Sequence, residues 1–265
     1  RASGMGEAFT GVSDDATAVY WNPAGIGGIG SVSVSLMHAI LTQDAKYEWA
    51  SFVCPAGFGV LGLGLQYVSY GSIPQADVTG LGTGDMNPND MAVILSYGLD
   101  LGGIAAGINA KYVTSKILNR ATAAAFDAGI LYSDTLAGGK LRLGLSARNF
   151  GTKMKFISEE DTLPSEIRLG AGYNMTPEWL LAADGIASID NGIKAGFGTE
   201  YQFKLGADMA VTGRAGYNTR TKDMTGLVGL SAGLGVAYGS YGVDYAFVPF
   251  GDLGTTHRIS TGANF

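Results

Sequence analysis

Residues 59–69 read GVLGLGLQYVS, and their side chains alternate: Leu61, Leu63, Leu65 and Tyr67 share one face, while Gly62, Gly64 and Gln66 share the other. A period of two is the signature of a strand. The same split recurs at Leu141, Leu143, Leu145 and Ala147, opposed by Lys140, Arg142, Gly144, Ser146 and Arg148. It returns at Ile167, Leu169, Ala171 and Tyr173 against Glu166, Arg168, Gly170 and Gly172, and at Ala195, Phe197 and Tyr201 against Lys194, Gly196, Gly198 and Glu200. Charge thus shares a face with glycine in strand after strand. A soluble sandwich would bury the bulky face and give water a face of Lys, Glu and Thr with little glycine, because glycine weakens a strand and packs nothing. Glycine beside charge suits a crowded enclosed lumen, with the bulky face turned to lipid.

Composition agrees with that reading. Of 265 residues 42 are glycine, only 15% are charged and 10% are aromatic. Mean hydropathy is +0.18, yet no apolar run approaches the ~18 residues a membrane helix needs. A chain of this kind hides its apolar groups in a core or on the outside of a closed barrel. Fourteen segments carry the strand pattern, near residues 31–39, 45–54, 59–69, 90–98, 103–115, 122–133, 139–149, 165–173, 178–187, 192–202, 207–217, 226–236, 239–247 and 256–265. The expected fold is all-β: a transmembrane antiparallel β-barrel of about 14 strands, with both termini on the periplasmic side of a bacterial outer membrane. Linker lengths alternate, the long ones being YGSIPQADVTGLGTGDMNPND and NFGTKMKFISEEDTLPS. These read as extracellular loops, with Pro74, Pro88 and Pro164 as breakers. Tyr67, Tyr97, Tyr112, Tyr132, Tyr173, Tyr201 and Tyr217 fall near strand ends on the bulky face, as in the aromatic girdles of membrane barrels.

The first 30 residues differ from the rest of the chain. Met5, Ala8, Phe9, Val12, Ala16, Val19 and Tyr20 recur at helical spacing, interrupted by Gly6 and Gly11. Ser13 is placed to cap a short helix whose first turn carries Asp14 and Asp15. Pro23 disfavours helix at Asn22 and turns the chain. Residues 1–30 therefore divide off as a hatch or plug and residues 31–265 as the barrel. Inward glycines leave room for such a plug, and inward charges can pair with it and with one another. The candidates are Lys111, Lys140, Arg142, Arg148, Arg168, Arg214 and Arg258, opposed by Glu48, Asp127, Glu166, Asp184, Glu200 and Asp244.

RASGMGEAFTGVSDDATAVYWNPAG resembles the N-terminal hatch signature of FadL-type hydrophobic-solute transporters and, more closely, that of the PorV/PorQ group of outer-membrane barrels. NDMAVILSYG and the closing YGSYGVDYAFVPFGDLGTTHRISTGANF are similar to the same group, and the terminal Phe265 resembles the assembly signal of such barrels. The resemblance implies a 14-stranded barrel with a hatch held by an Asn-Pro-Ala turn, here Asn22, Pro23 and Ala24. It also implies a docking role, since PorV-like proteins serve type IX secretion as cargo shuttles and translocon partners. Glu7 departs from the small residue usual in the group, and the outer loops are shorter.

Other chemistry finds little footing. A net charge of −6 and a pI near 4.9 offer no basic stripe for nucleic acid. The single Cys54 excludes an internal disulfide and is expected to be a small buried thiol. His38 and His257 lack the spacing and partners of a zinc site, and GLSAGLG and GVLGLG lie inside strands rather than before helices, so they are not phosphate loops. Asp14-Asp15 and Glu159-Glu160-Asp161 are the only acidic clusters that could hold a cation, read instead as helix-dipole compensation and a solvated tip. No catalytic residue, metal or cofactor is expected. No signal peptide precedes Arg1, which fits a mature exported chain. Two functions compete: a non-enzymatic docking component of a secretion or surface-assembly system, with outer-membrane lipid and an envelope protein as partners; or a FadL-like transporter taking a hydrophobic ligand past Ile73, Val78, Leu81, Met154, Phe156 and Ile157. A purely structural barrel comes third.

Overall fold

The computed structural model describes residues 1–265 except 157–159, 190–191, 221–224 and 227. In chain order the strands are β1 (Ser33–Ile40), β2 (Lys46–Ala56), β3 (Gly59–Ser69), β4 (Ile73–Ala76), β5 (Gly82–Met86), β6 (Asn89–Asp100), β7 (Ile104–Lys116), β8 (Arg120–Leu136) and β9 (Gly139–Gly151). They continue with β10 (Met154–Lys155), β11 (Glu160–Asp161), β12 (Glu166–Asn174), β13 (Trp179–Ser188), β14 (Gly192–Lys204), β15 (Met209–Asn218), β16 (Leu230–Tyr238), β17 (Tyr241–Pro249) and β18 (Thr255–Asn264). Two pairs, β4 with β5 and β10 with β11, are hairpins in the long loops; the other fourteen strands form one closed antiparallel barrel in which β1 pairs with β18. The loop hairpins are a correction to the sequence reading: Pro74 lies within β4, on a short edge strand where its missing N–H is tolerated. β16 begins at Leu230 rather than near 226.

Alternation in sequence becomes inside and outside. Leu61, Leu63, Leu65 and Tyr67 are exposed on the outer wall, as are Leu143, Leu145, Ile167, Leu169, Phe197 and Val243. A wall this apolar needs lipid to cover it. The tyrosines form two levels: Tyr67, Tyr112 and Tyr217 lie towards the loop end, and Tyr97, Tyr132, Tyr173 and Tyr201 towards the end that holds both termini. Wall height is uneven, since β8 has 17 residues, whereas β1 has 8 and β17 has 9. Cys54 is half-buried rather than buried.

The N-terminal segment fills the lumen. Met5, Ala8, Phe9, Val12, Ala18, Val19 and Ile26 are wholly or almost wholly buried, in two apolar clusters that take in Leu180 and Ala182 on one side and Trp49, Val53, Val60 and Ile94 on the other. Burial follows the expected stripe but helix does not. Only α1 (Ala18–Trp21) is α-helical, flanked by 3-10 turns at Ala2–Met5 and Pro23–Gly28. Gly6 takes the left-handed conformation at φ 62 and Glu7 follows at φ 61, which breaks any helix through Met5 and Phe9. Ser13 does not cap: its Oγ donates back to the Phe9 carbonyl at 2.7 Å.

Inward glycines bring the wall backbone against the hatch. A methyl on Gly129 would strike the Asn22 side-chain oxygen, on Gly144 the Thr10 carbonyl, and on Gly216 the Gly6 amide. Close approach of two backbones is a use of strand glycine that repays its cost in entropy. Gly216→Val is therefore expected to unseat residues 1–12 while the barrel persists. Hydrogen exchange should rise in that segment with β content unchanged by circular dichroism; protection equal to wild type would contradict the fit.

Candidate functional site: the seated hatch and a line of cavities

The hatch is held through its main chain by side chains of the wall. Asp184 Oδ2 on β13 accepts from the Phe9 and Thr10 amides at 3.2 and 3.1 Å and from Thr10 Oγ1 at 2.6 Å. Arg168 on β12 is 0% exposed; its Nη2 donates to the Glu7 carbonyl at 2.6 Å and to Asp184 at 2.9 Å, and its Nε donates to Thr10 Oγ1 at 3.0 Å. Arg142 Nη1 donates to the Val12 carbonyl at 3.1 Å, Asn109 Nδ2 to the Val19 carbonyl at 2.9 Å, and the Gly6 amide donates to Ser231 Oγ at 3.0 Å. These bonds replace the i→i−4 ladder that a helix would have supplied. A buried amide or carbonyl needs one partner or the other.

Asn22, Pro23 and Ala24 form the turn between hatch and wall. Asn22 is extended at φ −156, and its side-chain oxygen accepts from the Ala24 amide while Pro23 opens the 3-10 turn. The other half of the amide, Nδ2, donates to the Thr10 carbonyl at 3.0 Å and to the Ile130 carbonyl of β8 at 3.2 Å. One side chain thus ties two hatch turns to the barrel.

The lumen charges are paired. Lys111 meets Asp127 at 2.6 Å, Arg148 meets Glu166 at 3.0 Å, and Arg214 meets Glu200 at 2.6 Å and Asp244 at 2.5 Å. Arg258 bonds Ser3 Oγ at 2.7 Å and stands 3.8 Å from Glu7, whose second oxygen faces Arg220 at 3.1 Å. Three arginines also lie over hatch rings: Arg148 over Tyr20 at 4.1 Å, Arg168 over Trp21 at 5.1 Å and Arg1 over Phe9 at 5.2 Å. Asp14 and Asp15 do not open a helix. Asp14 pairs with Arg1 at 2.6 Å and Arg142 at 2.7 Å, and Asp15 with Arg1 at 3.2 Å. Two candidates lie elsewhere: Lys140 is exposed, and Glu48 faces outward beside His38 at 2.7 Å. Glu48 is displaced because β2 inverts the rule, turning Trp49 and Val53 inward to pack on Val19 and Ile26. Glu159 and Ile157 lie outside the described residues; Glu160 pairs with Lys153 at 3.8 Å.

Two cavities lie along β1 and β18, and a groove lies beyond them at the loop end. At the loop end a groove of about 520 Å³ is lined by Leu41, Ala45, Tyr70, Ile73, Met86 and Ile117. Leu41 also borders a lumen cavity of about 210 Å³, between the hatch residues Glu7, Tyr20 and Trp21 and the wall residues Met37, Tyr47 and Trp49. That cavity shares Arg1, Thr17, Ser35 and Ser260 with a third, of about 200 Å³, which reaches Tyr241, Asp244 and Asn264 at the terminal end. Met37, Leu41, Ser35 and Ser260 carried no signal in the sequence.

No family model and no curated protein matches the chain. Solved structures do match in fold, which is that of the FadL-like outer-membrane barrels. The toluene transporter TbuX of Ralstonia pickettii aligns over 100% of this chain and 97% of its own, with a TM-score of 0.60 at 12% identity. The toluene transporter TodX of P. putida gives 0.61 at 11% identity, over 99% and 98% of the two chains, and a Pseudomonas aeruginosa FadL homologue gives 0.56 at 12% identity, over 100% and 98%. Among these structures the likeness is to FadL-type barrels, and none of them is a PorV/PorQ protein.

The hatch contacts set two measurable outcomes. Asp184→Ala leaves the buried Arg168 with only Glu166, at 3.5 Å, to face it and removes the acceptor of the Phe9 and Thr10 amides, and Asn22→Ala removes both tethers of the turn. Both variants should exchange amide hydrogens faster across residues 5–20, with Asp184→Ala the more affected; unchanged exchange in either would refute the assigned tether. The second concerns pH. Burial pushes the Asp14 carboxyl up, but Arg1 and Arg142 pull it further the other way, from an ordinary 3.8 to about 2. Its contribution is therefore complete above pH 3.8 and is lost as pH falls towards 2. Hatch protection should decline over that window in wild type, and that part of the decline should vanish in Asp14→Asn.

Proposed function

We propose that the protein is an integral outer-membrane conduit for small hydrophobic molecules, with both termini in the periplasm and the N-terminal hatch as a fitted stopper. The observation that carries this reading is a succession of three cavities from the loop end to the terminal end, neighbours that share Leu41 as a common wall residue in one case and Arg1, Thr17, Ser35 and Ser260 in the other. The groove at the loop end, where Leu41, Tyr70, Ile73, Met86 and Ile117 stand beside Gln43, Asp90 and Lys116, gives a greasy solute a first resting place. Aromatic and aliphatic walls receive it in the lumen, where Tyr20, Trp21, Trp49 and Met37 supply apolar contact. The toluene transporters that share the fold lend the reading weight by analogy of architecture. Pairing of the lumen charges serves the same end, since it keeps unpaired charge away from the path.

Leu41 is the residue to test, because it borders both the groove and the lumen cavity and carries no charge of its own. Cells that express the protein in a host without hydrocarbon transporters should take up labelled ethylbenzene faster than vector controls. Leu41→Arg should return uptake to the control rate at equal barrel abundance. Equal uptake with and without the wild-type protein would sink the conduit reading.

A second reading, the docking component implied by the PorV/PorQ resemblance, draws on one observation. Val78 and Leu81, at the tip of the β4–β5 hairpin, are 105% and 70% exposed, and apolar tips of that kind suit a protein partner. A stoichiometric envelope protein, co-extracted in mild detergent and released by Val78→Asp with Leu81→Asp, is the result this reading requires.

A further inference from the structure

Glu48 is out of place on a wall that faces lipid. It is exposed on the outer face of β2, opposite His38 on β1 and Tyr67 on β3, and the row continues to an apolar residue, Met91, on β6. His38 Nδ1 lies 2.7 Å from Glu48 Oε1, with both side chains about half exposed. That contact engages one carboxylate oxygen; among the described residues nothing bonds the other. Lys46 stands two residues nearer the loop end on the same face, exposed and with no ion-pair partner among the described residues. A free carboxylate oxygen and a free ammonium therefore sit one above the other on one strand.

On the membrane side of this row the outer surface has a hollow of about 580 Å³. Leu36, Leu65, Val243 and Ile259 line it, all of them exposed, and His38, Glu48 and Tyr67 border it towards the loop end. Ala50 gives the hollow its depth, since it stands between Leu36 and Leu65 in the register with only a methyl to offer. Tyr67 belongs to the loop-end level of tyrosines, where an amphipathic ring marks the headgroups. A charged row at headgroup level above an apolar slot has the outline of one lipid molecule.

The charges select its head. A carboxylate beside a tyrosine ring suits an ammonium group, and Lys46 suits a phosphate. A purely anionic head would be set against Glu48, and a purely cationic one against Lys46. We infer that the hollow outside β1 and β2 is a binding site for one phospholipid with a phosphoethanolamine head, its ammonium at Glu48 and Tyr67, its phosphate at Lys46 and an acyl chain over Ala50. The site lies on the lipid face and makes no use of the lumen, so it stands apart from the conduit reading.

Native mass analysis of the full chain in detergent, offered phosphatidylethanolamine and phosphatidylglycerol with the same acyl chains, tests the inference. Wild type should retain phosphatidylethanolamine about fivefold over phosphatidylglycerol, the scale of one half-exposed charge pair. Glu48→Gln should bring that ratio close to one. Lys46→Gln should weaken both lipids alike and keep the ratio, and Ala50→Trp, which fills the slot, should weaken both as well. All three side chains lie on the outer wall, clear of the hatch contacts, so the barrel should fold in each variant. Equal retention of the two lipids by wild type, as for ordinary annular lipid, would overturn the inference, and so would a ratio that Glu48→Gln leaves unchanged. A lipid-free dimer dispersed by Ala50→Trp would overturn it in favour of a second copy of this chain.

Discussion

A peptide backbone cannot be left dry inside a barrel without partners, and this constraint governs the whole molecule. The N-terminal segment is largely buried with little secondary structure of its own, so its amides and carbonyls have to be met from outside the segment. Asp184, Arg168, Arg142, Asn109 and Ser231 meet them from five different strands. Those groups are in turn polar and buried, so each needs a second partner, and the web of ion pairs across the lumen supplies most of them. The inward charges of the wall, the glycines beside them and the irregular path of the hatch are one solution seen from three sides.

The outer wall answers a different demand. Lipid offers no hydrogen bond, so strand amides are satisfied within the protein, mostly by a neighbouring strand, and most outward side chains suit oil or the interface. The two faces of a strand therefore solve unrelated problems one residue apart. Bulk goes outward and room is left inward, which is the reverse of a soluble sheet. β2 departs from this division where Trp49 and Val53 turn in to meet Val19 and Ile26, and the lumen cavity opens beside that departure.

Strand count, closure and facing were legible in sequence because a period of two is a local property that leaves its trace in every segment, as in Leu61, Leu63 and Leu65 beside Gly62 and Gly64. The buried stripe from Met5 to Val19 was legible too, but not its conformation. Helical spacing records which residues are buried, whereas Gly6, Glu7 and the wall groups that bond Phe9 and Thr10 decide how the chain winds, and those partners lie some 160 or more residues away in sequence. Glu48 was misplaced because the inversion of β2 depends on packing against the hatch. The cavities could not be read at all, since they exist only once β1 has closed against β18 and small residues such as Ser35 and Ser260 stand opposite the plug.

The wall is far taller on one side than on the other. Strand β8, with 17 residues, extends about 56 Å along its own axis, while β1, with 8, extends about 26 Å at the usual rise per residue. A tilted strand that short falls below the 9–11 residues that ordinarily cross a bilayer, so lipid beside β1 has to compress to match it. Compressed lipid packs its chains less regularly and admits foreign solutes more readily. The annulus of membrane beside β1 is the one that flanks the lumen cavity, which Ser35, Met37 and Ala39 help to line.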